Sequence, residues 1–297
     1  MQTEETKFPA NLFPARYEEN RAVIRFTGLV SNETIFALCD EVDFAASYYY
    51  YSRVAIEIDS PGGELKSLLY YISKLKEWRE KGIRIETLAM TQCASAAAFM
   101  LSLGDLGCRR SMPNAALLYH GSRIYGSNQP LTADRLDRLS TDLNLTDARL
   151  LVELMRHLYP DVPDDHFVLL SEVTCKLPDP ESEVRYDVIK TFKNRRLRRF
   201  LEALKYAEKS TEYLQAKDNL HREVLRELGK VTQEVEGIAT YLDLAKRLEG
   251  IPVEQRDTMA IGWLYLRFQH YQSFFSQDFF ITPEKAIGEC LIDSVKE

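Results

Sequence analysis

The chain has 297 residues, 45% apolar and 28% charged, enough apolar side chain for one large core or a core domain with a smaller companion. Its net charge of −7 argues against nucleic acid as the main partner. Five scattered cysteines with no CxxC pair, and no run of 18 apolar residues, argue against zinc and a membrane span and fit a reducing, cytoplasmic setting.

The opening "MQTEETKFPANLF" shows no apolar signal region. Residues 22–27, "AVIRFT", read as a strand followed by Gly28. Ser31 then caps a helix with Ile35, Leu38, Val42 and Ala45 on one face. A second strand, "RVAIEID" (53–59), is broken by "SPGG" (60–63). A helix follows, with Leu65, Leu68, Leu69, Ile72 and Leu75 at spacings of three and four, and Gly82 ends it. "IRIETLAM" (83–90) is a third strand, "AAAFMLSL" (96–103) a helix, and "AALLYH" (115–120) a fourth strand. This alternation predicts a largely parallel sheet with helices packed on it.

Beyond residue 130 the pattern changes. Leu136, Leu139, Leu143, Leu150, Leu151 and Leu154 mark a long helix ending before Pro160. "YPDVPDD" (159–165) and "KLPDPES" (176–182) read as loops, and the basic run "KNRRLRRF" (193–200) as a solvated helix face. From about 184 to 276 the sequence is almost all helix-forming, punctuated at Gly229 and at "EGIPVE" (249–254). The aromatic stretch "MAIGWLYLRFQHYQSFF" (259–275) suits either packing on the core or a subunit or partner interface. "DFFITPEKAIGECLIDSV" (278–295) returns to a strand–helix–strand pattern.

Chemistry concentrates at three places. Ser95, in "TQCASAAAF", follows a strand and opens a helix, where free backbone N–H groups and positive partial charge suit a developing oxyanion. Its small neighbours leave room for a substrate backbone. A serine hydroxyl needs a base within hydrogen-bond reach and a third group to orient that base. His120 is the one histidine of five that closes an apolar strand; His157, His166, His221 and His270 lie on or beside helices or acidic loops. The glycines of "SPGG" permit close approach of another chain. The amides of Gly63 and Ala96 form a candidate oxyanion hole.

Together, "IEIDSPGGELKSLLYYISKLK" and "TQCASAAAFMLSLGDLGCRRSMPNAALLYH" resemble the Clp protease proteolytic-subunit (ClpP) family, as does "ENRAVIRFTGLVSNETI" at the start. The likeness covers roughly residues 8–158 and 278–295, and the 25-residue gap from Ser95 to His120 is the family's usual one. The resemblance implies a ClpP/crotonase-like α/β fold of repeated strand–helix units with a mostly parallel sheet, here with an α-helical insertion. It implies a serine endopeptidase with Ser95 as nucleophile, His120 as general base, and Gly63 and Ala96 as oxyanion donors, needing neither cofactor nor metal. It also implies peptide or unfolded-protein substrates, a homo-oligomeric chamber and a separate AAA+ unfoldase, since no Walker A motif occurs here. Thr91 stands in place of the glycine in the family's serine turn, and Ala96-Ala97 in place of its Met-Gly.

The resemblance gives the acid as Asp278, fifteen residues before Asp293 as in the family's tail, although His120 and Asp278 are 158 residues apart. Asp164 and Asp165 are the alternatives. The expected organisation is a peptidase core over 8–175, a helical insertion over 176–276 and a return to the core over 277–297. Family rings stack through the helix after the histidine strand, here about 132–158, so an insertion just beyond it would alter or block that stacking. Enoyl-CoA hydratase chemistry on this fold uses carboxylates, and signal-peptide peptidases of this fold pair serine with lysine; Ser95 with His120 argues against both. The remaining alternative is a catalytically inactive, ClpP-like scaffold or adaptor subunit.

Overall fold

A computed structural model describes residues 13–123, 132–174, 211–277 and 279–296. The loop at 176–182 and the basic run at 193–200 lie outside them. By its internal contacts the chain divides into two compact units, Met1–Gly121 with Phe275–Glu297, and Ser122–Phe274. The seam expected near residue 175 lies outside the described residues.

The first unit is a mixed α/β structure. Its elements run β1 (Ala15–Tyr17), β2 (Ala22–Val30), α1 (Asn32–Tyr48), β3 (Arg53–Gly63), α2 (Leu65–Glu80), β4 (Arg84–Ala94), α3 (Ala96–Ser102), β5 (Arg109–Ser111) and β6 (Ala116–Leu118). Ser31 caps α1 as expected: its hydroxyl accepts from the Thr34 amide at 3.3 Å, and the Thr34 hydroxyl accepts from the Ser31 amide at 3.0 Å. Such a cap contributes about 1 kcal/mol. Ile35, Leu38, Val42 and Ala45 are buried along one face. In α2 the buried face is Leu68, Tyr71, Ile72, Leu75 and Trp78, whereas Leu69 is exposed.

With β7 (Phe280–Ile281) and β8 (Ser294–Val295) from the tail, the strands form an eight-stranded sheet in the order β1-β2-β3-β4-β5-β8, with β6 beside β4 and β7 beside β6. The β2–β3, β3–β4, β4–β5, β4–β6 and β5–β8 pairs are parallel; β1–β2 and β6–β7 are antiparallel. Ile24, Phe26, Ile56, Ile58, Ile85 and Ala89 are buried at alternating positions, as a covered sheet face requires. The intervening positions of β3 and β4 carry buried carboxylates. Glu86 accepts from Arg21 at 2.9 Å, Arg53 at 2.9 Å and Arg110 at 3.2 Å, so this buried charge is paired.

One expectation about β3 is corrected. "SPGG" does not end the strand: β3 runs through it to Gly63, with irregular register opposite β2 and β4. Pro61 takes no place in either ladder, as suits a residue with no N–H at a bulge. The tail forms β7 (Phe280–Ile281), α9 (Pro283–Gly288) and β8 (Ser294–Val295), the strand–helix–strand order expected. Buried Arg109 clasps it: Nε and Nη2 donate to the two Asp293 carboxylate oxygens at 3.0 and 2.7 Å, and the Arg109 amide donates to the same carboxylate at 2.8 Å.

The second unit is helical: α4 (Ala133–Leu158), α5 (Asp164–Thr174), α6 (Thr211–Val235), α7 (Tyr241–Leu248) and α8 (Val253–Phe275, whose last residue belongs to the first unit). Gly229 does not interrupt α6, which continues to Val235 and turns at Gly237; the break before α8 falls in "EGIPVE" as expected. A Cβ on Gly262 of α8 would lie 2.6 Å from the Val231 side chain of α6, so the two helices approach closely there. The Trp263 indole and Arg267 guanidinium both donate to the Ile238 carbonyl, at 2.9 and 2.8 Å, just beyond the end of α6. Met259, Trp263, Leu264, Phe268 and Tyr271 are buried, so much of the aromatic stretch serves as core. No described helix is long and apolar enough to cross a membrane.

Candidate active site

Ser95 is the single residue between β4 and α3, with φ 56° and ψ −131°. A non-glycine residue at such angles is strained, and strain of this kind collects at functional turns. A serine at a sharp strand-to-helix turn has its hydroxyl lifted off the sheet end. The surroundings enforce this turn. Ala94, Ala96 and Ala97 are buried, and the Ser95 carbonyl accepts from the Ala98 and Phe99 amides at 2.9 and 3.3 Å. As the first residue of α3, Ala96 has an amide with no intrahelical acceptor.

The two glycines of "SPGG" differ in what they touch. A Cβ on Gly62 would lie 2.4 Å from both the Ala94 carbonyl oxygen and Ser95 Cβ, and 3.1 Å from the Ala96 nitrogen. Only a bare Cα fits against the serine turn here. A Cβ on Gly63 would instead lie 2.1 Å from the Val30 carbonyl oxygen. The Gly62 amide donates to Ser60 Oγ at 3.1 Å. Sequence reasoning singled out Gly63 and passed over Gly62; the only signal for it was the paired glycine itself.

His120 follows β6, which pairs with the end of β4 in the register Gln92–Ala116, Cys93–Leu117 and Ala94–Leu118. Ser95 and His120 therefore leave neighbouring parallel strands at the same, C-terminal end, where open α/β sheets place their ligands. The Ser95 amide donates to the Leu118 carbonyl at 2.8 Å, tying the serine turn to the histidine strand. His120 Nδ1 lies 2.6 Å from the Gly121 carbonyl oxygen. A carbonyl can only accept, so Nδ1 carries the proton and Nε2 of the neutral ring holds the lone pair. Gly121 in turn donates its amide to the Phe275 carbonyl at 3.0 Å.

Asp278 lies outside the described residues. The strand just after it, β7, runs antiparallel to the histidine strand, pairing Leu117 with Ile281 and Leu118 with Phe280. Asp164 and Asp165 occupy the first turn of α5, a favourable place for carboxylates beside a helix N-terminus. Asp164 is exposed and ion-paired with Arg156 at 2.7 Å.

Thr91 is explained by Asp59. At the irregularity between β3 and β4, the Asp59 carboxylate accepts from the Thr91 hydroxyl and, at 3.1 Å, from the Gln92 amide. Cys93, two residues before the serine, is no competing nucleophile. Burial pushes its thiol pKa well up, Asp59 adds to the effect, and the thiol donates to the Ala97 carbonyl at 3.1 Å. Among the described residues, no group of three or more His, Cys, Asp or Glu side chains could hold a metal ion.

A model of the Clp protease family matches residues 17–150, a span that contains Gly63, Ser95, Ala96 and His120. Over 102 residues the chain is 32% identical to ATP-dependent Clp protease proteolytic subunit 1 of Mycolicibacterium paratuberculosis, covering 32% of this chain and 47% of that protein. It is likewise 32% identical over 102 residues to proteolytic subunit 2 of Mycobacterium tuberculosis, covering 32% of this chain and 46% of the relative. Over 111 residues it is 31% identical to proteolytic subunit 3 of Nocardia farcinica, covering 37% and 48%. The chain thus spans about half the length of the curated relatives it matches.

Proposed function

We propose that the chain is a serine peptidase in which Ser95 attacks the peptide carbonyl and His120 is the general base. The observation that carries this reading is the serine turn: Ser95 at φ 56° between β4 and α3, its amide bonded to the strand that leads into His120. His120 Nε2 takes the hydroxyl proton as the Ser95 Oγ–carbon bond forms. The negative oxygen of the tetrahedral intermediate is received by the amides of Ala96 and Gly63; one such donor is worth about 3 kcal/mol of barrier. The intermediate collapses, breaking the C–N bond, and the imidazolium returns its proton to the leaving amine. A water, deprotonated by the same histidine, then hydrolyses the acyl-serine.

Asp278 is the proposed third member, sharing the His120 Nδ1 proton with the Gly121 carbonyl and stabilising the imidazolium by its charge. Its support is the pairing of Phe280 with Leu118: Asp278 precedes the one by two residues and His120 follows the other by two, on antiparallel strands. Proposed substrates are peptides or unfolded segments, cleaved within a homo-oligomer to which a separate AAA+ unfoldase delivers protein. We take residues 8–175 as the peptidase core, 176–276 as a helical insertion and 277–297 as the return to the core. Ser95→Ala tests the mechanism: hydrolysis of a small fluorogenic peptide should vanish while circular dichroism and melting stay unchanged. Full activity in a folded Ser95→Ala variant would overturn it.

A further inference from the structure

Three buried rings from distant stretches of sequence meet in the first unit: Phe99 on α3, Tyr119 immediately before His120, and Phe275 at the end of α8. Phe275 stacks on Tyr119 with centroids 5.6 Å apart and planes at 18°, and meets Phe99 edge-on at 5.2 Å. Tyr119 and Phe99 meet edge-on at 5.8 Å, closing the trio. Such geometries are directional, so each ring restrains the other two. Phe99 lies one turn along the helix that Ser95 opens, and its amide donates to the Ser95 carbonyl. The trio thus joins the serine helix to the histidine strand, with Phe275 as the third side.

Phe275 also acts through its backbone. Its carbonyl accepts from the Gly121 amide at 3.0 Å, and the Gly121 carbonyl accepts from His120 Nδ1–H at 2.6 Å. Ring and carbonyl together hold both neighbours of His120 in the chain. We propose that Phe275 is a positioning residue for His120: by fixing Tyr119 and Gly121 it keeps the Gly121 carbonyl on Nδ1 and leaves Nε2 to serve as base. This rests on the serine-peptidase reading.

The test uses the full chain and a fluorophosphonate probe, following the rate of Ser95 modification against probe concentration. In Phe275→Leu the saturating rate should fall by about tenfold, a part of the 10²–10⁴ that a general base contributes. The half-saturating probe concentration should stay put, because the base acts in bond formation and not in capture of the probe. Phe275→Tyr keeps both ring contacts and should restore the rate. If Phe275→Leu does not fold, Phe99→Leu removes another ring of the same trio and should give the same loss of saturating rate. A folded Phe275→Leu that labels at the wild-type rate overturns the proposal, as does Phe275→Tyr behaving like Phe275→Leu. Failure of the wild-type chain to label at Ser95 would instead refute the serine reading on which it rests.

Discussion

Gly62→Ala probes the contact that brings Gly62 against the serine turn. Two separable effects add. Gly62 has φ +92°, where an L side chain costs about 1–2 kcal/mol. The new methyl would also lie 2.4 Å from the Ala94 carbonyl oxygen and Ser95 Cβ, neither of them the end of a flexible side chain. Relieving that overlap costs about 1–3 kcal/mol, for a total of about 2–5 kcal/mol against a typical domain stability of 5–15 kcal/mol. Gly82→Ala is the control. Gly82 has φ +75° but nothing within 4 Å of its would-be Cβ, so only the backbone effect applies. Urea unfolding measures both losses, and fluorophosphonate labelling reads the serine. Gly62→Ala should be the less stable by at least about 1 kcal/mol, and it alone should slow labelling, because the turn must shift to admit the methyl. If the two variants match in stability and both label at the wild-type rate, the close packing of β3 on the serine turn is refuted.

Asp293→Asn should cost about 3–5 kcal/mol near neutral pH by leaving buried Arg109 without its carboxylate. Burial pushes the Asp293 carboxyl up, but its hydrogen bonds from Arg109 outweigh this and hold it below the ordinary aspartate value. A depressed carboxyl contributes stability above its unfolded-state pKa of about 3.9 and loses it as pH falls through the lower folded value. The gap between wild type and Asp293→Asn, measured by urea unfolding, should therefore shrink below about pH 4; a constant gap from pH 7 to pH 2 would show that the clasp carries no charge. Asp278→Asn should cut peptide turnover by about 10³–10⁴ with little change in melting temperature. Should Asp164→Asn or Asp165→Asn have that effect instead, the third triad member has been misassigned.

Much of the first unit was legible because its elements are long and regularly patterned. The Ser31 cap and the apolar faces of α1 and α2 follow from spacing alone, and β2, β3, β4 and β6 from apolar runs bounded by turns. The short strands β1 and β5 were not legible: three residues carry no periodicity. "SPGG" read as a stop because glycine and proline punctuate most strands, whereas here a register irregularity carries the chain through. Gly229 read as a helix break. An interior glycine costs a helix only about 1 kcal/mol, and buried Leu228 and Val235 anchor α6 on either side of it.

The candidate site divides along the same line. Ser95 and His120 stand out as candidates in the sequence because local context singles out a lone hydroxyl at a strand–helix junction and a histidine closing an apolar strand. The contacts of Gly62 with the serine turn and of Phe275 with Tyr119 and Gly121 were not legible, because they join segments far apart in sequence. Asp293 was used only as a spacing mark, and nothing near it in sequence points to Arg109.

The most direct measurement is intact mass followed by peptide mapping after treatment of the full chain with a fluorophosphonate. A single adduct on Ser95, absent from Ser95→Ala and abolished in a folded His120→Ala variant, is the predicted result. A folded chain that takes no label, or takes it elsewhere than Ser95, would contradict the serine-peptidase account and leave the inactive scaffold as the reading to pursue.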